Sequence, residues 1–365
     1  MGDSPSAAKK ARTEGSSSGG DGREYILSLY RSRLLPDLLD EMREQYEMDE
    51  DATTWVREMV EYTVPGGKLN RALFVLQSLK CLVDPAAYEK LKEQAAVCGW
   101  AIEWLQAYFL IEDDIMDGSV TRRGAPCWYK KADVGMIAIN DGIVLDQQIF
   151  RMLKAHFGGQ GRDPALYATL LDLFHETTYQ TALGQLLDTT MPINNDNLRK
   201  FSMAAYKRIV KYKTAFYSFY LPVACAMALA GLTDAKLFEQ AKRICVIVGE
   251  FFQVQDDYLD CYGAPEVIGK VGTDIEDCKC GWLAVRFLDT CSADDMAAFK
   301  RHYGKHDAAD VAAIKALYAK AGMEATYHAY EEATYAEITK LIDDVVGMPK
   351  EVFTNLVNKI YKRSK

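Results

Sequence analysis

At 365 residues the chain has room for one large domain or two to three small ones, and for a core that needs no covalent staples. Lys and Arg number 43 against 52 Asp and Glu, a net charge of −9, which argues against a nucleic-acid binder built on a basic face. Anionic small ligands stay open, because local cations or bound metal ions override net charge.

In chain order, residues 1–22 stand apart. They hold five Ser, five Gly, one Pro and four apolar residues, too little to offset the entropy of ordering, so a disordered tail is expected. Met1-Gly2 with Ser6 fits a loose myristoylation pattern, but Asp3 and Pro5 make it a poor instance and a solvated tail is preferred. No apolar block follows the start, so no signal peptide is read. From residue 23 to 365 no linker interrupts the chain, and one domain is expected.

Tyr25, Leu27, Leu29, Leu34 and Leu35 open the core, Pro36 begins a new helix, and Thr53 or Thr54 caps a short one through Tyr62. Gly66-Gly67 breaks the chain before a helix from Lys68 to about Leu82, and Pro85 starts a long helix to about Asp117. Further helices are predicted over about 134–157, 164–190, 197–231, 234–262, 280–289, 293–303, 307–321 and 325–345. Apolar residues recur at three and four positions, not two, and no strand precedes a GxGxxG run, so an all-α fold is predicted. The longest apolar run, Leu221 to Leu232, is too short to span a bilayer, so no membrane anchor is expected.

Nine cysteines are scattered without a CxxC pair, which suggests buried free thiols and a reducing, cytoplasmic setting. His302 and His306 lie four apart but lack further ligands, and read as surface residues. No GxSxG elbow is present.

The chemistry-bearing feature occurs twice: Asp113-Asp114-Ile115-Met116-Asp117 and Asp256-Asp257-Tyr258-Leu259-Asp260. Residues four apart share a helix face, so each copy presents paired carboxylates near a helix C-terminus, where the dipole disfavours them. A lone copy is a weak signal that equally describes a solvated acidic helix end. Two copies, each after an apolar helical run, point to hard divalent cations bound by oxygen, as in Mg²⁺-diphosphate sites.

Cations for an anionic ligand lie nearby. Gly66-Gly67-Lys68-Leu69-Asn70-Arg71 leads into a helix start, and Arg122-Arg123 follows the first motif. Lys213-Thr214 sits in an apolar helical stretch, Gln253 and Gln106 share faces with the aspartates, and Lys270 and Lys279 follow the second motif. Lys270 falls in a Gly-rich segment expected to loop over a cavity mouth.

Together these segments, with FLIEDDIMDGSVTRRGAPCWY (109–129), VGMIAINDGIVL (134–145), LGQLLD (183–188), YKTAFYSFYLP (212–222) and FFQVQDDYLDCYGAPEVIGKVGTDIEDCKCGW (251–282), resemble the farnesyl diphosphate synthases of the trans-isoprenyl diphosphate synthase family. The resemblance runs from about residue 24 to 365. It implies the isoprenoid synthase fold, a helical bundle around a deep central cavity, usually a homodimer. It implies a Mg²⁺-dependent prenyltransferase that adds isopentenyl diphosphate to dimethylallyl and then geranyl diphosphate, by ionisation, condensation and elimination.

By motif, Asp113, Asp117 and Asp256 would ligate the magnesium ions, three in all, with Asp114, Asp257 and Asp260 in support. Arg122, Lys213, Thr214, Gln253 and Lys270 would contact the allylic diphosphate, and Lys279 would line the same region. Lys68, Arg71, Gln106 and Arg123 would hold isopentenyl diphosphate, with Gln185 and Asp188 on the inner wall. Tyr108 and Phe109 would form a floor that stops elongation at fifteen carbons. Two departures are Ala72, where the family commonly has glycine, and Ser364 within a basic C-terminal run. A longer-chain, geranylgeranyl synthase is the nearest alternative. A class I terpene cyclase and an inactive regulatory subunit are further ones, disfavoured by the intact second motif and isopentenyl-site cations.

Overall fold

The computed structural model describes residues 18–191, 198, 200–264 and 272–361. The first helix, α1 (Ser18–Leu29), begins inside the segment read as a tail: the helix that buries Ile26 and Leu27 extends over one turn of small residues. The rest of that expected tail, residues 1–17, lies outside the described residues, as do Lys270 and Ser364.

A π-helical turn, Tyr30–Leu34, joins α1 to α2 (Leu35–Tyr46). Pro36 has no N–H to continue the ladder, and the Leu35 N–H reaches back five residues to the Tyr30 carbonyl, so the proline reshapes a helix rather than starting one. In α3 (Glu50–Thr63) the cap is Asp49, whose carboxylate accepts from the Ala52 N–H; Thr53 lies inside the first turn and bonds back to the Asp49 carbonyl.

Two helices then cross closely. These are α4 (Asn70–Leu82) and α5 (Pro85–Met116), the latter capped by Asp84 and about 48 Å long at 1.5 Å per residue. At their crossing a Cβ on Gly99 would lie 2.8 Å from the Ala72 Cα, so the glycine that this approach requires sits on α5, and alanine is tolerated at 72. The central stretch of α5, Ala95 to Ala107, is buried throughout and carries Trp100 and Trp104.

After α5 a two-residue hairpin, β1 (Thr121–Arg122) with β2 (Ala125–Pro126), turns through Arg123 and Gly124 at φ of 56° and 77°. Helices α6 (Ala138–Phe157) and α7 (Pro164–Thr190, capped by Asp163) follow. The block predicted as one helix over 197–231 is three pieces: α8 (Met203–Val210), a π-helix at Lys211–Tyr220, and α9 (Leu221–Leu229). Here too a proline, Pro222, stands second in the following helix, and the Leu221 N–H reaches five residues back to Phe216.

The remaining helices are α10 (Ala235–Tyr262), α11 (Trp282–Thr290), α12 (Ala293–His302), α13 (Ala308–Lys320), α14 (Met323–Asp343) and α15 (Glu351–Ile360). The last was not predicted, although Val352, Phe353, Leu356, Val357 and Ile360 bury one continuous face. Among the described residues no helix is long and apolar enough to cross a membrane.

The core surrounds α5 and the π-helix. The π-helix is gripped from both sides by glycines: a Cβ on Gly184 of α7 would lie 2.1 Å from the Lys213 nitrogen, and one on Gly249 of α10 would lie 2.4 Å from the Ala215 Cβ. Backbone contact this close brings the Lys213-Thr214 pair between the ends of α5, α7 and α10.

Candidate active site

The C-terminal turn of α5 presents Asp113, Asp114 and Asp117. Arg122, the second hairpin residue, folds back so that its Nε lies 3.0 Å from the Asp114 Oδ1, and its Nη2 lies 3.2 Å from the Asp113 Oδ2. Lys213 donates to Asp113 (3.0 Å) and to Asp188 of α7 (2.6 Å). Lys279, just before α11, donates to Asp188 (2.9 Å) and to both oxygens of Asp117 (3.0 and 2.8 Å). Gln185 adds a donor to Asp113 at 2.9 Å. Anions and cations thus alternate around one opening, with three cations set against four carboxylates.

Burial alone would raise Asp113 and Asp188, but Lys213 and its fellow cations hold both below the usual carboxylate range. Asp117 goes the other way, raised by burial and by the charge on Asp113. Burial would lower Lys213 and Lys279, and Asp188 foremost among the carboxylates raises them instead. Every cation in the ring is therefore charged at neutral pH.

Oxygens of Asp113, Asp117 and Asp188 lie within 4.8 Å of one another. Three hard oxygen donors at this spacing suit a divalent cation with open positions for phosphate oxygens. The triplet differs from the expected set: Asp188 completes it, and Asp256 stands outside it. Gln185 and Asp188 of LGQLLD on α7 face the end of α5. In the second motif the Asp257 carboxylate accepts from the Trp282 N–H (2.8 Å) and that of Asp260 from the Asp274 N–H (3.1 Å). Burial pushes Asp257 up to about 6. The Thr214 hydroxyl donates to the Gln253 carbonyl (2.9 Å), and the Gln253 amide donates to Asp257 (3.0 Å), so this chain fixes which way the Gln253 amide points.

A second basic site adjoins the first. Arg122 and Arg123 are consecutive, yet the positive φ at Arg123 sends its side chain to the opposite side. There Nη1 donates to the Thr63 carbonyl (2.9 Å), and the guanidinium lies so close to Gly66 and Gly67 that a Cβ on either would sit 3.3 or 3.1 Å from it. Arg71 donates to the Ser218 hydroxyl (2.7 Å) and the Tyr217 hydroxyl (3.0 Å) and lies over the Tyr217 ring at 4.6 Å.

Beneath them Glu103 is fully buried and accepts from the Ala72 N–H at 3.1 Å. Burial raises it, opposed by Arg71. Gln106 is buried one turn further along α5, and Lys68 is exposed on the loop that leads into α4. Glu103, Tyr217 and Ser218 were not singled out from the sequence. The signal was present for Glu103: a carboxylate inside the apolar run from Ala95 to Ile111 requires a partner.

Tyr108 and Phe109 lie one turn before Asp113 with ring centroids 4.7 Å apart. Tyr108 faces Gly142 of α6, and Phe109 faces Tyr217 at 6.5 Å, so they form one half-buried wall below the aspartates.

Residues 53–321 match the polyprenyl synthetase family. A farnesyl diphosphate synthase of Dictyostelium discoideum is 47% identical over 325 residues, 87% of this chain and 84% of that protein. The farnesyl pyrophosphate synthase of Saccharomyces cerevisiae is 44% identical over 354 residues, 94% of this chain and 98% of that one. A T. brucei farnesyl diphosphate synthase complexed with risedronate superposes with a TM-score of 0.86 at 38% identity, covering 94% of this chain and 100% of that chain. The chain belongs to the polyprenyl synthetase family, and its fold is the isoprenoid synthase fold.

Proposed function

We propose that the chain joins isopentenyl diphosphate to dimethylallyl and then geranyl diphosphate, and releases farnesyl diphosphate. The observation that carries this reading is the pair of anion sites set back to back by Arg122 and Arg123. A cyclase acting on one diphosphate has no use for the second.

Asp113, Asp117 and Asp188 would hold divalent metal, Mg²⁺ by the preference of an oxygen-only donor set, with Asp256 as a further ligand and three ions as the proposed number. When bound, the metal supplies charge that favours departure of the allylic diphosphate. Arg122, Lys213 and Lys279 are the chain's own contribution to that task. As ligand arrives, their cations exchange aspartate oxygens for phosphate oxygens. Lys270 is proposed to join them.

The Thr214 hydroxyl and the Gln253 carbonyl, bonded to each other beside Lys213, would present oxygens to the positive charge that develops on the allylic carbon. Arg71, Arg123, Lys68 and Gln106 would hold isopentenyl diphosphate so that its double bond faces that carbon. Tyr108, Phe109 and Tyr217 form an apolar wall that excludes water from the cation and limits the product's length.

A homodimer fits the exposed apolar face of Met136, Ile137, Ile139 and Ile143 beside Tyr179, Leu183 and Leu186, each 38 to 62% exposed. All nine thiols are free, which fits a cytoplasmic setting. The test is a product assay: purified protein with isopentenyl and dimethylallyl diphosphates and Mg²⁺ yields farnesyl diphosphate, and chelation stops it. Geranylgeranyl diphosphate as main product would replace this reading with the longer-chain one. A cyclic hydrocarbon, or no product, would overturn it.

A further inference from the structure

Lys279 is the cation that ties Asp117 of α5 to Asp188 of α7, and it sits on a loop rather than a helix. A loop places an ammonium well only if its backbone is held. Two bonds are internal to the loop: the Asp277 N–H to the Thr273 carbonyl (2.9 Å), and the Lys279 N–H to the Asp274 carbonyl (3.0 Å). The residue before the lysine, Cys278, is buried at a φ of 54°, a conformation that a side chain with a Cβ adopts only when its surroundings impose it.

The imposing contact comes from Tyr303, at the end of α12. Its hydroxyl donates to the Lys279 carbonyl at 2.7 Å and lies 3.4 Å from the Asp274 carbonyl. The next residue, Gly304, donates its N–H to the Ile275 carbonyl at 2.9 Å, so the chain after α12 grips the loop at three carbonyls. The Tyr303 ring is itself closely packed. It is 1% exposed, stacked on Phe299 at 4.4 Å and met edge-on by Phe201 at 6.4 Å. A phenylalanine would satisfy the stacking equally well. What only the tyrosine supplies is a hydroxyl for the loop's carbonyls, that of Lys279 foremost.

We propose that Tyr303 is a positioning residue for the reaction: its hydroxyl fixes the Lys279 backbone, and with it the place where the Lys279 ammonium meets Asp117, Asp188 and a bound diphosphate. The inference rests on the reading of Lys279 as a diphosphate-holding group, and the two are separable by experiment. Turnover of geranyl diphosphate with isopentenyl diphosphate and Mg²⁺ is measured for the wild type, Tyr303→Phe, Lys279→Ala and the double variant, with thermal midpoints alongside.

The expected result for Tyr303→Phe is a fall in kcat of roughly tenfold or more, the effect of displacing a catalytic charge by a fraction of an ångström to an ångström. The KM for isopentenyl diphosphate, held at the far site by Arg71 and Arg123, stays unchanged. The double variant is no slower than Lys279→Ala alone, because the hydroxyl acts through that lysine. If Lys279→Ala is slow but Tyr303→Phe matches the wild type, or if the two losses multiply in the double variant, Tyr303 has only a structural role and the proposal fails. If Lys279→Ala itself turns over normally, the reading of Lys279 fails first and the role of Tyr303 with it.

Discussion

Asp113, Asp114 and Asp117 at the end of α5 take their hydrogen bonds from side-chain cations and an amide, whereas Asp257 and Asp260 at the end of α10 take theirs largely from backbone N–H groups. The two runs have the same spacing and the same place on a long apolar helix. The difference lies in what each can release. An ammonium on a four-carbon stem can turn from a carboxylate to an incoming phosphate oxygen, but the Trp282 N–H is fixed at the first turn of α11. On the proposed function the first run is a set of exchangeable contacts that would face the ligand, whereas Asp257 and Asp260 form a joint that holds α11 and the Lys279 loop to α10.

Substitution at equivalent positions breaks the comparison most sharply. Asp113→Ala should lower turnover by roughly a hundredfold or more, since it removes the group that Arg122 and Lys213 share beside the leaving diphosphate. Its thermal midpoint should change little. Asp257→Ala should do the reverse first: it leaves the buried Trp282 N–H without a partner, at about 1–3 kcal/mol of unfolding free energy. Product chromatography and urea unfolding check both. A stable Asp257→Ala protein, or an active Asp113→Ala one, would dissolve the distinction.

The next effect in size is at Gly184. A methyl there meets the Lys213 backbone at 2.1 Å, so Gly184→Ala must push the π-helix away from α7. Overpacking of this kind costs about 1–3 kcal/mol. It should also depress turnover, because Lys213 moves relative to Asp113 and Asp188. Gly249→Ala presses the same π-helix from the α10 side against Ala215, and should cost similar stability with a smaller loss of turnover.

Phe109→Ala is smaller again in rate but changes the product. The ring is half-buried beside Tyr108 and Tyr217 one turn below Asp113, and removing it leaves space that an apolar chain fills. Geranylgeranyl or longer diphosphates are expected from the variant and farnesyl diphosphate from the wild type. Farnesol as the main dephosphorylated product of both would place the floor elsewhere.

Much of this was legible before any coordinates. Pro85 marks the start of the long helix, and the paired aspartates mark the site by spacing. Less was legible where a tertiary contact overrides a local rule. Thr53 reads as a cap, yet Asp49, four residues earlier, has the extended backbone that capping needs. Pro36 reads as a helix start and 197–231 as one helical block, yet Pro36 and Pro222 both sit in helical chain that slips to a π register. Asp188 was read as wall and not as ligand, because nothing in LGQLLD tells which helix it faces. The apolar period of α15, Val352, Phe353, Leu356, Val357 and Ile360, runs straight into a basic C-terminal run that reads as a tail rather than as the end of a helix.

Glu103 tests whether the division between the two runs is one of kind or of degree. Like Asp257 it is fully buried and accepts from a backbone N–H, that of Ala72; like Asp113 it has cations beside it, Arg71 foremost. Burial outweighs those cations, and its folded value lies above that of the unfolded chain. A raised carboxyl binds its proton more tightly when folded, so the stability it contributes is full below the unfolded value and is lost as pH rises through the folded one. Glu103→Gln keeps an oxygen for the Ala72 N–H and removes the titration. At pH 4 the variant should unfold within about 1 kcal/mol of the wild type, since one neutral acceptor replaces another. Between pH 4 and pH 8 the variant should lose less stability than the wild type does. Urea unfolding at the two pH values decides it. If the variant instead loses more stability toward pH 8, then Arg71 and Arg123 hold Glu103 ionised, and it belongs with the cation-paired carboxylates of α5 rather than with the joint at α10.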